Sequence, residues 1–171
     1  MAKALPLHAV NPQASLLSNA PLMLHVRLEE LYEFAPYIAD PNRVDELHNM
    51  RIAAKRLRYT MEIFQPCFPG KDFSKLYEQV KSVQEQIGEI HDRDVRGPLL
   101  QAFLDVHGKE RAEIRVGLER LIASQHAERA HRYQSFVTYW NKLARQGFKR
   151  NFLQMLAASD AEPAEESVTV P

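Results

Sequence analysis

Cysteine, glycine and net charge are all scarce in this sequence. Cys67 is the single cysteine of 171 residues, which excludes a disulfide framework or a cysteine-rich zinc site within one chain. It sits in the turn-like stretch QPCFPG and reads as an ordinary free thiol. Glycine occurs six times, and Val, Ile and Thr form no alternating runs, so a sheet is not the expected framework and helices are. No stretch of about 18 apolar residues is present, so no membrane span is expected. The N-terminus shows no basic segment followed by an apolar core, and cytoplasmic residence is the expectation.

The missing net charge hides an asymmetry. Lys and Arg number 22, as do Asp and Glu. The tail from Ala158 to Pro171 holds Asp160, Glu162, Glu165 and Glu166 and no base, so residues 1–157 carry 22 basic against 18 acidic side chains. A surplus of that size does not by itself call for an anionic partner; clustering has to make that case.

What is present is helical periodicity. Residues 1–14, with Pro6 and Pro12, are expected as a flexible leader, 15–157 as a single helical domain, and 158–171 as a disordered acidic tail. Ser18 or Asn19 is placed to cap a first helix, with Pro21 in its first turn and Leu24, Leu28 and Leu31 on one face. The second helix is expected from Asp40–Arg43 to Phe64 or Gln65, where Pro66, Pro69 and Gly70 break the chain. The third carries Leu76, Val80, Val83, Ile87 and Ile90 at spacings of four, three, four and three. Arg96-Gly97-Pro98 should kink or stop it, leaving a short helix closed by Gly108. A last helical region, one long helix or two, runs from near Lys109 through Phe136, Trp140 and Leu143, and residues 148–157 add a turn or two. The expected fold is all-α, an antiparallel four-helix bundle with long helices.

One stretch of the second helix, HNMRIAAKRLRY from His48 to Tyr59, concentrates charge of one sign. At 100° per residue, Met50, Leu57, Met61 and Phe64 share one face. His48, Lys55, Tyr59 and Glu62 share the opposite one. Arg51 and Arg58 border that polar face on one flank and Arg56 lies on the other. From 48 to 58 the face is nearly all of one sign, so like charges repel by a few tenths of a kcal/mol per pair. Such a ladder becomes favourable against an anion or against acids of a neighbouring helix. Its steps of about 5–6 Å suit an extended anion such as a chain of phosphates, which Arg and Lys bind well. No glycine-rich phosphate cup is present.

The third helix has its own polar group in QEQIGEIHDRDV. Asp94 falls on the azimuth of Leu76 and Ile87, and an acid there needs a cation. Asp94 or Asp92 is expected to pair with Arg51 or Arg56 of the second helix. Gly88 and His91 lie on the flank, with Gln84 one turn earlier and Lys81 two turns before Gly88.

These two motifs, about 25 residues apart, resemble the conserved-histidine α-helical domain, or CHAD, family. The first, roughly His-x-x-Arg-Val/Ile-x-x-Arg/Lys-Arg-Leu-Arg, is matched by His48, Arg51, Ile52, Lys55, Arg56, Leu57 and Arg58. The second, roughly Leu/Ile-Gly-x-x-x-Asp-x-Asp-Val, is matched by Ile87, Gly88, Asp92, Asp94 and Val95. The resemblance spans about residues 20–145. It implies binding of inorganic polyphosphate, or of phosphate- and sulfate-like anions, through a basic surface and without catalysis. Carried over by position, His48, Arg51, Lys55, Arg56 and Arg58 are the anion-facing set, with Lys81 and Arg93 secondary; Tyr59 and His91 flank it. A typical member has two four-helix halves, whereas this chain has one basic helix, so a homodimer that rebuilds the groove is expected. No cofactor is expected.

Three other readings use the same residues. His91-Asp92 is the kind of pair that metal-dependent phosphohydrolases use, but Arg51, Lys55 and Arg93 would oppose a divalent cation and no complete ligand set is evident, so no metal or catalytic residue is assigned. A nucleic-acid site would need more than Tyr59 to stack bases, and no recognisable motif is present. A helical adaptor for protein partners is the remaining alternative. His8, His25, His107, His126 and His131 have no ligand spacing.

Overall fold

The computed structural model describes residues 3–108 and 112–160. All regular elements among them are helical: α1 (Leu16–Glu33), α2 (Val44–Phe64), α3 (Lys71–His107), α4 (Ala112–Arg145) and α5 (Phe148–Asp160), with single 3-10 turns at Ala35–Tyr37 and Gln65–Cys67. The fold class is therefore the expected all-α bundle, with a fifth helix added. No helix among the described residues is long and apolar enough to cross a membrane.

Ser15 caps α1 by accepting a hydrogen bond from the Ser18 N–H at 3.1 Å, so the helix starts earlier than expected and Pro21 falls in its second turn. Asn19 is occupied elsewhere. Its amide donates to the Asn11 carbonyl at 2.8 Å and accepts from the Asn11 N–H at 3.0 Å. The Leu5 N–H donates to the Glu30 carboxylate, and Arg27 donates to the Leu5 carbonyl at 3.4 Å. The segment expected as a flexible leader is thus tied to α1 at two points.

Helix α2 runs without Gly or Pro between two proline-marked turns, and Asp45 and Glu46 in its first turn favour the positive N-terminal end. Its apolar face, with Met50, Ala53, Ala54, Leu57 and Met61 fully buried, packs between α1 and α3. Leu24, Leu28 and Leu31 of α1 meet it from one side, and Val80, Val83, Ile87 and Ile90 of α3 from the other.

Two expectations about the second half need correction. The short separate helix expected after Arg96-Gly97-Pro98 does not form, because these residues do not stop α3, which continues to His107. Proline removes one intrahelical hydrogen bond and costs about 3 kcal/mol in isolation. Here the Pro98 ring faces solvent while α4 packs along α3 in the most extensive helix pair of the fold, and that packing holds the helix through the defect. At the other end, residues 148–157 form more than a turn or two. Gly147, at φ +73°, takes the left-handed conformation that ends α4. Helix α5 then folds back so that Phe148, Phe152 and Leu156 enter the core against α1.

The acid on the core stripe has a different partner from the one expected. Asp94 accepts a hydrogen bond at 2.8 Å from Nε of Arg129, on α4, not from Arg51 or Arg56 of α2. The reason is reach along the helix axis. Arg51 lies beside Gly88 of α3, about 9 Å short of Asp94 at 1.5 Å per residue, and α2 begins only at Val44. What stands against Asp94 is α4, whose Arg129 also donates to the Pro41 carbonyl at 2.9 Å. Asp92, the other candidate, is exposed and pairs within its own helix with Arg96 at 3.6 Å. Replacing Asp94 or Arg129 by Ala should each destabilise the protein by about 2–4 kcal/mol, because each leaves a largely buried charge alone. Chemical denaturation of both variants and of the double variant measures the coupling, expected at about 1–3 kcal/mol; additive effects would remove this pair as a structural anchor.

Candidate anion-binding face

Three contacts define how α2 lies on α3. Nδ1 of His48 is 3.2 Å from Nδ1 of His91. The Arg51 guanidinium lies over Gly88, where a Cβ would stand 3.5 Å from its Nε. The Tyr77 hydroxyl donates to Glu62 at 2.8 Å. Numbers rise on one helix as they fall on the other, residue for residue, so the helices are antiparallel. The same register sets Lys55 opposite Gln84 and Arg58 opposite Lys81.

This seam collects most of the candidate residues. His48 and His91 sit at one end, Arg51 and Lys55 in the middle, and Arg58, Tyr59 and Lys81 towards the other end. Tyr59 is an exposed ring with two cations on it: Lys55 Nζ lies 5.5 Å and the Arg58 guanidinium carbon 4.8 Å from its centroid. Gly88 admits the Arg51 side chain against the α3 backbone, and a side chain larger than Ala there would displace it.

Two candidates lie elsewhere. Arg56 points to the α1 side, where its Nη1 stands 4.0 Å from the buried Glu30 carboxylate. Arg93 points to α4, donating to the Glu89 carbonyl at 2.7 Å with its other nitrogen 3.7 Å from Glu128. The helical wheel already set Arg56 on the far flank; the motif match alone had grouped it with the others.

Charge along the seam is uneven. Arg58 is 3.3 Å from Glu62, and Lys81 is 3.8 Å from Glu78. A pocket below them is lined by Glu62, Gln65, Phe73, Ser74, Tyr77 and Glu78 and is unsuited to anions. At the other end the cations stand without acids. Arg51 makes no hydrogen bond or ion pair with the described residues, and Lys55 has only the Tyr59 ring. Two buried polar atoms of the seam meet no partner, Arg51 Nε and Gln84 Oε1, while Arg58 Nε makes no hydrogen bond but stands against the Glu62 carboxylate. Such atoms cost free energy unless something polar meets them.

Sequence reasoning missed the cluster of Arg27, Glu30 and Leu5 behind Arg56, and missed Arg129. The signal for Arg129 was available. It shares the stripe of Tyr133, Phe136, Trp140 and Leu143, so α4 has a base on a core stripe just as α3 has an acid on one. Among the described residues no group of three or more His, Cys, Asp or Glu is placed to hold a metal ion. His91 faces His48 while Asp92 faces Arg96, so the adjacent pair does not act as one unit.

The family model of the CHAD domain matches residues 2–101. The match holds every candidate residue from His48 to Asp94 and ends within α3, short of the extent read from the two motifs. No curated protein and no solved structure matches the chain.

At the histidine end the ionisation has a direction. The His48 pKa is held below its ordinary value of 6.5, first by burial, then by repulsion from His91 and Arg51, with Asp45 opposing. A base whose folded pKa is depressed binds fewer protons folded than unfolded. Its contribution to stability is full above the unfolded value and declines as pH falls below about 6.5, levelling once the folded His48 titrates. Proton NMR should place the His48 titration below 6.5. His48→Asn should lose less stability than the parent between about pH 7 and pH 5; equal slopes would refute this assignment.

Proposed function

The chain belongs to the CHAD domain family, and from that premise we propose that it binds inorganic polyphosphate, or a similarly extended polyanion, along the α2–α3 seam without catalysing a reaction. CHAD domains bind polyphosphate-related ligands generally; the choice of ligand and of residues for this chain is our reading. The observation that carries it is the state of Arg51, whose guanidinium is seated over Gly88 with a buried, unpaired Nε. One helical turn away on either side stand His48, with no ion pair beyond the opposing influence of Asp45, and Lys55, with only the Tyr59 ring.

This arrangement supports binding in a specific way. An Arg held against the backbone has lost much of its rotational freedom before ligand arrives, so less entropy is lost on binding. The Tyr59 ring restrains Lys55 and Arg58 in the same sense. Gln84 offers an amide whose NH₂ can turn toward a phosphate oxygen. Glu62 and Glu78 end the run of positive potential at the lower end, so the binding segment centres on His48, Arg51 and Lys55 rather than on all the bases of the motif. A polyanion alongside raises the His48 pKa and makes binding tighter as pH falls through the range where imidazole charges.

The test is titration calorimetry with tripolyphosphate and with longer polyphosphate at low and moderate salt. A charge-assisted contact contributes about 1.5–3 kcal/mol. Arg51→Ala and Lys55→Ala should therefore each weaken binding by roughly 10–100-fold and flatten the salt dependence. Arg56→Ala and Arg93→Ala should stay within about twofold, since both side chains are engaged with acids on other faces. Unchanged affinity in the first pair, or tighter binding of DNA or RNA in competition, would overturn the proposal.

A further inference from the structure

On α3, the residues lying under α2 recur in a regular strip: Lys81, Gln84, Gly88 and His91, at spacings of three, four and three. The rhythm does not stop where α2 stops. It continues as Val95, Leu99, Ala102 with Phe103, and Val106 on the same side of the helix. The character of the strip changes completely at that point. Under α2 it is polar; beyond α2 it is apolar and uncovered. Val95 is 46%, Leu99 64%, Phe103 50% and Val106 67% exposed. The opposite strip, Gly97, Leu100, Leu104 and Gly108, is the buried or half-buried side, where α3 meets α4. Two helices alone do not enclose a core, and this hairpin has filled only one of its two apolar strips.

We propose that the strip Val95–Leu99–Phe103–Val106 is the docking surface for a second copy of this chain. Charge does not argue against that occupant. The ionic groups bordering the strip are of both signs: Asp92 pairs with Arg96 at 3.6 Å and, on α4, Arg115 with Glu119 at 2.8 Å, while Asp105 accepts from the neutral Gln101 at 2.9 Å. Among the described residues no run of one sign flanks the strip to select a strongly acidic or basic partner or to repel an identical surface. The order of residues suits a two-fold axis. Valines end the strip and larger side chains fill its middle, so an antiparallel copy sets Val95 against the partner's Val106 and brings Leu99 and Phe103 together at the axis. The size is adequate. The four side chains leave on the order of 400 Å² of apolar surface in water, as large as patches that mark interaction sites. Two copies together cover about 800 Å² of apolar surface before flanking polar side chains are counted, which suits a concentration-dependent dimer at the small end of interfaces. The chain's own residues 161–171 are a poor alternative, since they contain three acids and two prolines and only Val168 and Val170 as large apolar side chains.

Because the apolar strip prolongs the floor of the basic seam, docking there sets the two seams in line on either side of the axis, each His91 about 14 Å from it at 1.5 Å per residue. A long anion can then engage both seams at once. This last consequence rests on the proposed function; the docking itself does not.

The experiment is light scattering on the full chain without ligand across a concentration series, paired with Leu99→Glu and Phe103→Glu. The expected result is a dimer that either substitution converts to monomer with unchanged helicity by circular dichroism. A parent chain that stays monomeric overturns the proposal, as does a dimer that both substitutions leave intact. Dimerisation that appears only after residues 161–171 are removed overturns it too, because the tail is then the occupant. The same variants read the double engagement. The monomeric form should lose about tenfold in affinity for long polyphosphate and keep its affinity for tripolyphosphate. An equal change for both ligands refutes the double engagement while leaving the dimer standing. Loss of all phosphate binding in the dimeric parent refutes the proposed function alone.

Discussion

The antiparallel register of α2 on α3 is the constraint from which the rest follows. It is set by apolar side chains: Met50, Leu57 and Met61 on one helix and Val80, Val83 and Ile87 on the other are all fully buried. A slip of one turn would keep the two stripes facing but misalign their interdigitated side chains and uncover those at the ends, at about 1.5–3 kcal/mol for each one exposed. With the register held, the polar flank has no freedom. His48 must meet His91, Arg51 must cross Gly88, and Glu62 must meet Tyr77. The core thus positions the polar seam without contributing an atom to it.

That seam is unfavourable to the isolated fold. Like charges follow each other along α2, the His48 ring is pushed toward neutrality, and two buried polar atoms, Arg51 Nε and Gln84 Oε1, have no partner. Elsewhere the protein pairs its charges closely. Arg129 meets Asp94, Lys149 meets Glu29 at 2.8 Å, and Arg132 reaches both Glu128 and Glu89. The contrast lies within one molecule, so it does not come from a general shortage of acids. Orphaned polar atoms also occur elsewhere, at Glu30 Oε2, Arg93 Nε and Gln125 Oε1, but along the seam they coincide with a run of like charge, a cost that stability alone does not explain.

Much of this was readable from residue order, and the failures have identifiable causes. Helix α2 was legible almost to the residue because its ends are flanked by proline and its wheel is clean. The separation of Arg56 from Arg51 followed from azimuth alone. The need of Asp94 for a cation was also an azimuth argument and held, whereas the identity of that cation depended on how far each helix runs along its neighbour. Sequence periodicity reports angle around a helix and says little about axial offset, so Arg129 went unnamed. Pro98 misled for a related reason. A local rule expects a break, and the α4 packing that overrides it joins residues far apart in the chain. Helix α5 was undervalued because Gly147 weakens the pattern, although Phe148, Phe152 and Leu156 recur every four residues.

The buried Glu30 has an effect that reaches outside the protein. It accepts from Arg27 and the Leu5 N–H and lies against Arg56, so the base of the motif that points away from the seam has an acid beside it. Arg93 is treated likewise on the opposite flank by Glu128. On α2, then, Arg51 and Lys55 are left without an acid, and both stand on the α3 side. On the proposed reading, an extended anion brought to this helix meets its charge along one flank only, so the attraction has a direction although the chain carries no excess of positive charge.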